Sequence, residues 1–423
     1  MLGAALSRGS GLISSILVAR MLGKSGFGEL GIIQSTIGMF GTFAGFGLGM
    51  TATKFIAEYR TTNPAKAGRI RGISSAFAWV TSALTSLVLF VAAPWLAEHA
   101  LAAPHVGNLL KVGSLLLFFG GVSGAQLGAL SGFEAFKSIA KISFWTGITT
   151  LPLTVAGAYI GGVEGAVWGL VIAGGVSWLL SHFAIETECR KAEIPHTYKG
   201  CWAERRVLWK FALPAVISSA FFAPTDWALN ALLVNQPEGY GQMGVLNAAR
   251  QWQMFILYLP SVISNMTLPM LSNLLGEGNR RSYVKLVVLN SVALVCLALL
   301  AALPVAVFSG TIMSAYGNGF GAGQNALLLV CAASVLWALH IVIGQVMWST
   351  GASAEAMFFA AFRSIILLVA GVILVKQGAA GLCLALLVTY ILQTLYLVPY
   401  VKYKVNRLFN DAGLASIHPG KTE

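Results

Sequence analysis

Apolar runs of about twenty residues recur from one end of this chain to the other, parted only by short polar or glycine-rich turns. A run of that length crosses the hydrocarbon layer of a bilayer. The composition leaves no soluble alternative: 57% of the 423 residues are hydrophobic, 10% are charged, and the mean hydropathy is +0.77. So few charges do not cover the surface of a soluble protein of this length. The runs read as helices at roughly 3–22, 28–50, 73–97, 109–131, 138–160, 163–185, 208–235, 241–267, 285–308, 324–349, 357–376 and 379–401. The expectation is an all-α polytopic membrane protein with 12 transmembrane helices. No basic n-region or A-x-A-like site marks a cleavable signal, so the first span reads as a retained helix. Its abrupt start leaves open whether a few native residues precede Met1.

The net charge of +12 suggests nucleic acid only until the basic residues are placed. With the N-terminus inside, all but six of the 27 Lys and Arg residues fall in cytoplasmic segments, Arg71 and Arg363 counted among them. The six are Arg8, Arg20, Lys24, Lys111, Arg250 and Lys376. Both termini are therefore expected in the cytoplasm, and no nucleic-acid partner is expected.

The chain also repeats itself. Gly26-Phe27-Gly28-Glu29-Leu30-Gly31 returns 213 positions later as Gly239-Tyr240-Gly241-Gln242-Met243-Gly244. Gln126 with Ser131-Gly132 returns as Gln345 with Thr350-Gly351, and Gly162-Val163-Glu164-Gly165 returns as Gly378-Ala379-Ala380-Gly381. Two parallel six-helix repeats around a central V-shaped cavity are expected, because an even number of spans per copy preserves orientation. The division expected is 1–190 for the first bundle, 191–206 for a cytoplasmic linker, 207–405 for the second bundle and 406–423 for a cytoplasmic tail.

Charge inside a span is costly and marks a functional candidate. Arg8 lies in span one, Asp226 in span seven and Arg250 in span eight, the last two at similar depth. They read either as a static clamp or as part of a transport cycle. Asn247, Gln251 and Tyr258 extend a polar stripe around Arg250 along one helical face. Arg20 and Lys111, at the outer ends of spans one and four, read as snorkelling anchors or as further cations of the cavity. Such a cavity suits an anionic substrate, because a guanidinium matches phosphate oxygens. Pro214 and Pro224 make span seven the candidate hinge. Gly120, Gly124, Gly128 and Gly132 give span four a smooth face for helix packing. His340 reads as a packed histidine. Cys189 and Cys201, near His182 and His196, lack a compact ligand spacing and read as reduced thiols, so no metal is expected. No phosphate-binding Gly-rich loop, H-E-x-x-H or paired catalytic carboxylates are present, so no enzyme is expected.

Ser7-Arg8, Val18-Ala19-Arg20-Met21-Leu22-Gly23 and Gly26-Phe27-Gly28, with Gly45-Phe46-Gly47-Leu48-Gly49 and the charged stretch to Arg60, resemble the Wzx-type polysaccharide repeat-unit flippases. That family shares a superfamily with the lipid II flippase and the multidrug and toxin extruders. The resemblance implies a multi-pass protein of the bacterial cell inner membrane that moves a polyprenyl-pyrophosphate-linked oligosaccharide, as for O-antigen or exopolysaccharide, to the outer leaflet. It implies contact with membrane lipid and with other polysaccharide-assembly proteins, and no cofactor beyond a coupling Na+ or H+. Arg8 and Arg250 resemble cavity arginines of the lipid II flippase, whereas Ser14 and Ser15 stand where that flippase carries an Arg-Asp pair, which argues for another glycan. The rival readings are a cation-coupled multidrug extruder, for which Asp226 is the one clear carboxylate, and a glycan polymerase or ligase, for which the outward loops are too short.

Overall fold

The computed structural model describes the chain except residues 1, 46, 193, 195–200, 205–220, 265 and 418–423, and except the side chains of 2–8, 203–204, 353–354 and 411–417. Among the described residues the regular structure is entirely helical. Within the described residues seven helical segments are long and apolar enough to cross a membrane, or eight if a pair bent by 43° at Leu257 is one span. The chain divides into two compact units: Met1–Asn247 with Tyr316–Asn318, and Ala248–Ala315 with Gly319–Glu423. This partition concerns compactness, and it differs from the division by sequence repeat.

The first unit contains α1 (Leu2–Gly45), α2 (Leu48–Tyr59), α3 (Pro64–Trp95), α4 (Val106–Gly132), α5 (Phe136–Lys191) and α6 (Phe222–Val234). It also holds the first turns of α7 (Gly239–Ile256). At 1.5 Å per residue the 56 residues of α5 would extend about 84 Å if straight, far more than one bilayer. They do not run straight. Gly161 and Gly162 leave helical geometry, with Gly162 at φ 58°, ψ −135°, a region open only to glycine. The two arms then pack back on each other, Gly157 against Gly165 and Gly169 against Leu153 and Thr154, backbone to backbone. At the far end the Ser138 hydroxyl donates to Glu188 Oε1 at 3.0 Å.

In the second unit follow α8 (Tyr258–Ser264), α9 (Thr267–Gly276), α10 (Arg280–Val307), α11 (Ser309–Ala315), α12 (Gln324–Ser349), α13 (Ser353–Leu374) and α14 (Gly378–Ile417). The repeat of the Gly162 motif builds the same corner. Gly378 has φ 68°, ψ −146°, and three residues on Gly381 packs against the Leu374 carbonyl. The arms meet antiparallel, Phe359 on Tyr396 and Tyr400, with Lys404 Nζ 2.6 Å from Glu355 Oε1.

A further correspondence is one of capping. Asn63 accepts from the Lys66 amide at the start of α3, and 216 positions later Asn279 accepts from the Ser282 amide at the start of α10. The bend between α7 and α8 also has a local cause. Pro260 has no N–H to donate to the Ile256 carbonyl, and the helix breaks at Leu257, inside the span expected over 241–267.

The glycine face of α4 works differently from the expectation. Gly128 meets the Gly49 backbone of α2, and Gly132 meets Ala52, Thr53 and Ile56. The Thr53 hydroxyl donates to the Gly128 carbonyl at 2.8 Å and stitches this crossing. Gly120 and Gly124 have nothing where their own Cβ would stand, although the Gly124 carbonyl lies 2.9 Å from a Cβ placed on Gly49; further close approaches are Gly121 against Ser82 and Ala44, and Gly113 against Ile37. Close packing thus uses the α2 end of the four-residue row, and elsewhere on α4 it follows the contact lines with α1 and α3.

Candidate functional site

The repeated Gly-x-Gly-x-x-Gly segments do more than record a duplication: the two copies touch. A Cβ on Gly28 would meet the Tyr240 carbonyl and the Gly244 amide, and one on Gly244 would meet the Lys24 carbonyl and the Gly28 amide. Gly31 lies against Asn247, whose Nδ2 would stand 3.0 Å from an added Cβ. The backbones approach this closely only because each copy presents glycine at the crossing. Lys24 Nζ then reaches Glu238 Oε2 at 3.4 Å, which removes Lys24 from the cations open to a cargo.

Asn247 is half-buried at this crossing, and Arg250 and Gln251 follow one turn later, also half-buried, beside the fully buried Ala248 and Ala249. Spacings of three and four put the three polar groups on one face of α7. Tyr258 is half-buried just past the bend. Asp226 is half-buried on α6, a helix that docks on α1 through polar bonds. Trp227 Nε1 donates to Thr36 Oγ1 at 2.9 Å and Asn230 Nδ2 to Ser35 Oγ at 2.8 Å. Asp226 belongs to the first unit and Arg250 to the second.

Arg20 is exposed and Lys111 half-buried, its ammonium 5.8 Å from the Phe90 ring centroid. The Arg8 side chain and Pro214 lie outside the described residues, and Pro224 falls in the first turn of α6. Ser14 and Ser15 are buried hydroxyls in packing roles, Ser14 bonded to Thr154 at 2.8 Å and Ser15 to Tyr316 at 3.3 Å. Cys189 and Cys201 belong to separate buried clusters.

Two cations counted with the cytoplasmic segments prove to be buried. Arg71, seven residues into α3, is 7% exposed and bonds Glu186 Oε1 on α5 at 2.9 Å. Arg363, near the middle of α13, is 4% exposed, its guanidinium 5.5 Å from the rings of both Trp337 and Tyr390. His340 lies in the same cluster, its Nε2 3.0 Å from Thr394 Oγ1 and its ring 5.5 Å from Tyr390. Counting charges by loop hides them, because a carboxylate or a pair of ring faces lets a helix carry an arginine inside. Their positions within the apolar runs were the available signal.

Arg71 also lines a cavity of about 340 Å³ between α3, α4 and the second arm of α5, with Ser74, Trp79, Gln126 and His182. In the second unit α10, α12 and α14 enclose one of about 390 Å³, lined mainly by Val284, Val287, Leu339, Ile343 and Val398.

Comparison with known proteins gives this architecture a class. A multidrug resistance MATE family transporter of the MOP superfamily, solved facing inward, superposes with a TM-score of 0.76 at 14% identity, covering 94% of both chains. The fold is thus that of a polytopic membrane transporter of the MATE and MOP kind. The sequence narrows it: the model of the family described as "Polysaccharide biosynthesis protein" matches residues 1–275, and the chain belongs to that family. The EPS I polysaccharide export inner membrane protein EpsE of Ralstonia nicotianae is 23% identical over 420 residues, 93% of this chain and 92% of its own. The lipid III flippase of Escherichia coli is 26% identical over 271 residues, 63% of this chain and 64% of its own. These relatives are named for export and flipping, not for catalysis.

Proposed function

We propose that this protein is an inner-membrane flippase that moves a polyprenyl-pyrophosphate-linked oligosaccharide from the inner to the outer leaflet by alternating access through a cationic cavity. The observation that carries the reading is Arg250, half-buried on α7 with Asn247 and Gln251 on the same face, in a chain of a polysaccharide biosynthesis family. A guanidinium flanked by two amides binds phosphate oxygens and sugar hydroxyls together. Arg8, Arg20 and Lys111 would extend the positive lining, and Tyr258 would give the cargo an aromatic edge. The relatives named for polysaccharide export and for lipid III flipping support a lipid-linked glycan as cargo and the inner membrane as location.

The reading takes twelve spans, with each glycine-broken segment as two, the bent pair as one and the helix ending at Val234 as one, and it puts both termini in the cytoplasm on the distribution of Lys and Arg. Asp226 is the membrane carboxylate that would take a coupling H+ or Na+, and Pro224 the hinge beside it. Other proteins assembling the same polysaccharide are the expected partners. Arg250→Ala should abolish surface glycan while the protein remains folded and inserted, read by glycan immunoblot and by detergent-extracted monodispersity. Full surface glycan in that variant would overturn the cavity assignment.

A further inference from the structure

The cavity between α3, α4 and α5 has its own chemistry, separate from Arg250 and the polar face of α7. Its buried charge is already neutralised, because Arg71 is held by Glu186 at 2.9 Å. Among the described residues the ionisable groups lining it are Arg71 and His182 alone. What remains unmet is neutral and polar. The Ser74 hydroxyl and the Gln126 amide oxygen have no hydrogen-bond partner among the described residues, although Ser74 is 2% and Gln126 8% exposed. Buried polar atoms left in that state cost free energy unless a ligand or water meets them.

Trp79 and His182 give the wall two aromatic faces among alanine, valine and isoleucine. Trp79 lies across Trp178 at 5.9 Å and 86°, and Trp178 stacks on His182 at 6.2 Å and 29°. A hydroxyl and an amide carbonyl beside the Trp79 indole are complementary to a polyhydroxylated ring: its hydroxyls satisfy the polar groups and its C–H face lies on the indole. An anion finds no spare cation there. A volume of about 340 Å³ admits about one such ring.

The geometry points to this cavity as a binding site for one neutral sugar ring of the lipid-linked glycan. The source of the sugar rests on the proposed function; the polyol chemistry does not. The other source of a polyol at this site is the glycerol head group of phosphatidylglycerol.

The test uses the full chain in nanodiscs of phosphatidylcholine. Two probes are titrated and read by native mass spectrometry: a short-chain polyprenyl pyrophosphate carrying one hexose, and the same lipid without it. The hexose-bearing probe should bind about tenfold tighter, the worth of one or two neutral hydrogen bonds. Gln126→Leu and Ser74→Ala should each shrink that difference severalfold and leave the affinity of the bare lipid unchanged. Ser74→Ala removes a single oxygen, so it keeps the test decisive if the leucine variant fails to fold.

Equal binding of the two probes, or a preference that survives both substitutions, overturns the sugar site and leaves the flippase reading intact. Nanodiscs containing phosphatidylglycerol form the second arm. Retention of that lipid, lost in Gln126→Leu while the hexose preference persists, would assign the cavity to the membrane lipid and overturn the proposal. Binding of neither probe would overturn the cargo assignment itself, and the sugar site with it.

Discussion

The cavity of α3, α4 and α5 and that of α10, α12 and α14 are enclosed by helices that correspond in the sequence repeat, yet their linings differ. The first sets Arg71, His182, two serines and a glutamine among mainly small apolar residues; the second sets Arg280, Lys402 and Asn406 beside larger valine, leucine and isoleucine side chains. The repeated glutamine makes the divergence concrete. Gln126 lines its cavity and its carbonyl oxygen is unbonded, whereas Gln345 donates through Nε2 to Ser264 at 3.0 Å. The scaffold features, by contrast, persist in both copies: the asparagine caps at Asn63 and Asn279 and the glycine corners at Gly162 and Gly378. Backbone geometry tolerates few residue types at such points, while a cavity wall tolerates any side chain of suitable volume. Duplication has thus kept the framework and freed the linings.

The sharpest break of this contrast is Glu186→Leu. It leaves Arg71 buried without its carboxylate, and removing one partner of a buried pair costs about 3 kcal/mol or more. Partial exposure of Glu186, 28% of its side chain, puts the loss at the lower end of that range. A thermal unfolding series in detergent should show this as the largest drop in Tm among the variants considered. An unchanged Tm would mean that the first cavity does not depend on its ion pair.

Next in size comes Gly165→Val. The added side chain would drive into the Gly157 backbone, and overpacking of that kind costs about 1–3 kcal/mol. Gly381→Val in the second unit, aimed at the Leu374 carbonyl, should lower Tm by a similar amount. A large effect in one copy and none in the other would show that the shared corner has ceased to be equivalent.

How much of this was legible in the sequence differs by layer. Helix positions and the two glycine corners could be read directly, because long apolar runs and Gly-x-x-Gly echoes are local signals. The break at Leu257 was half legible: Pro260 was visible, but its consequence for the Ile256 carbonyl needs the backbone. The buried roles of Arg71 and Arg363 were missed, since each depends on a partner on another helix, Glu186 in one case and Trp337 with Tyr390 in the other. Spacing along one helix carries no information about such partners. The same limit applies to the first cavity, whose residues are spread from Arg71 to His182.

The smallest expected effect tests whether burial, and not the mere presence of an ion pair, separates the two units. Lys404 and Glu355 lie at 2.6 Å, a shorter contact than Arg71 and Glu186, but about a quarter and a third of their side chains remain in contact with solvent. Water and salt screen a pair in that setting, and ordering two long side chains offsets much of the attraction. Glu355→Ala should therefore leave Tm unchanged within error at physiological salt, and any shift at low salt should vanish as salt is added. If Glu355→Ala matched Glu186→Leu, contact distance would govern these pairs and the contrast drawn from burial would fail.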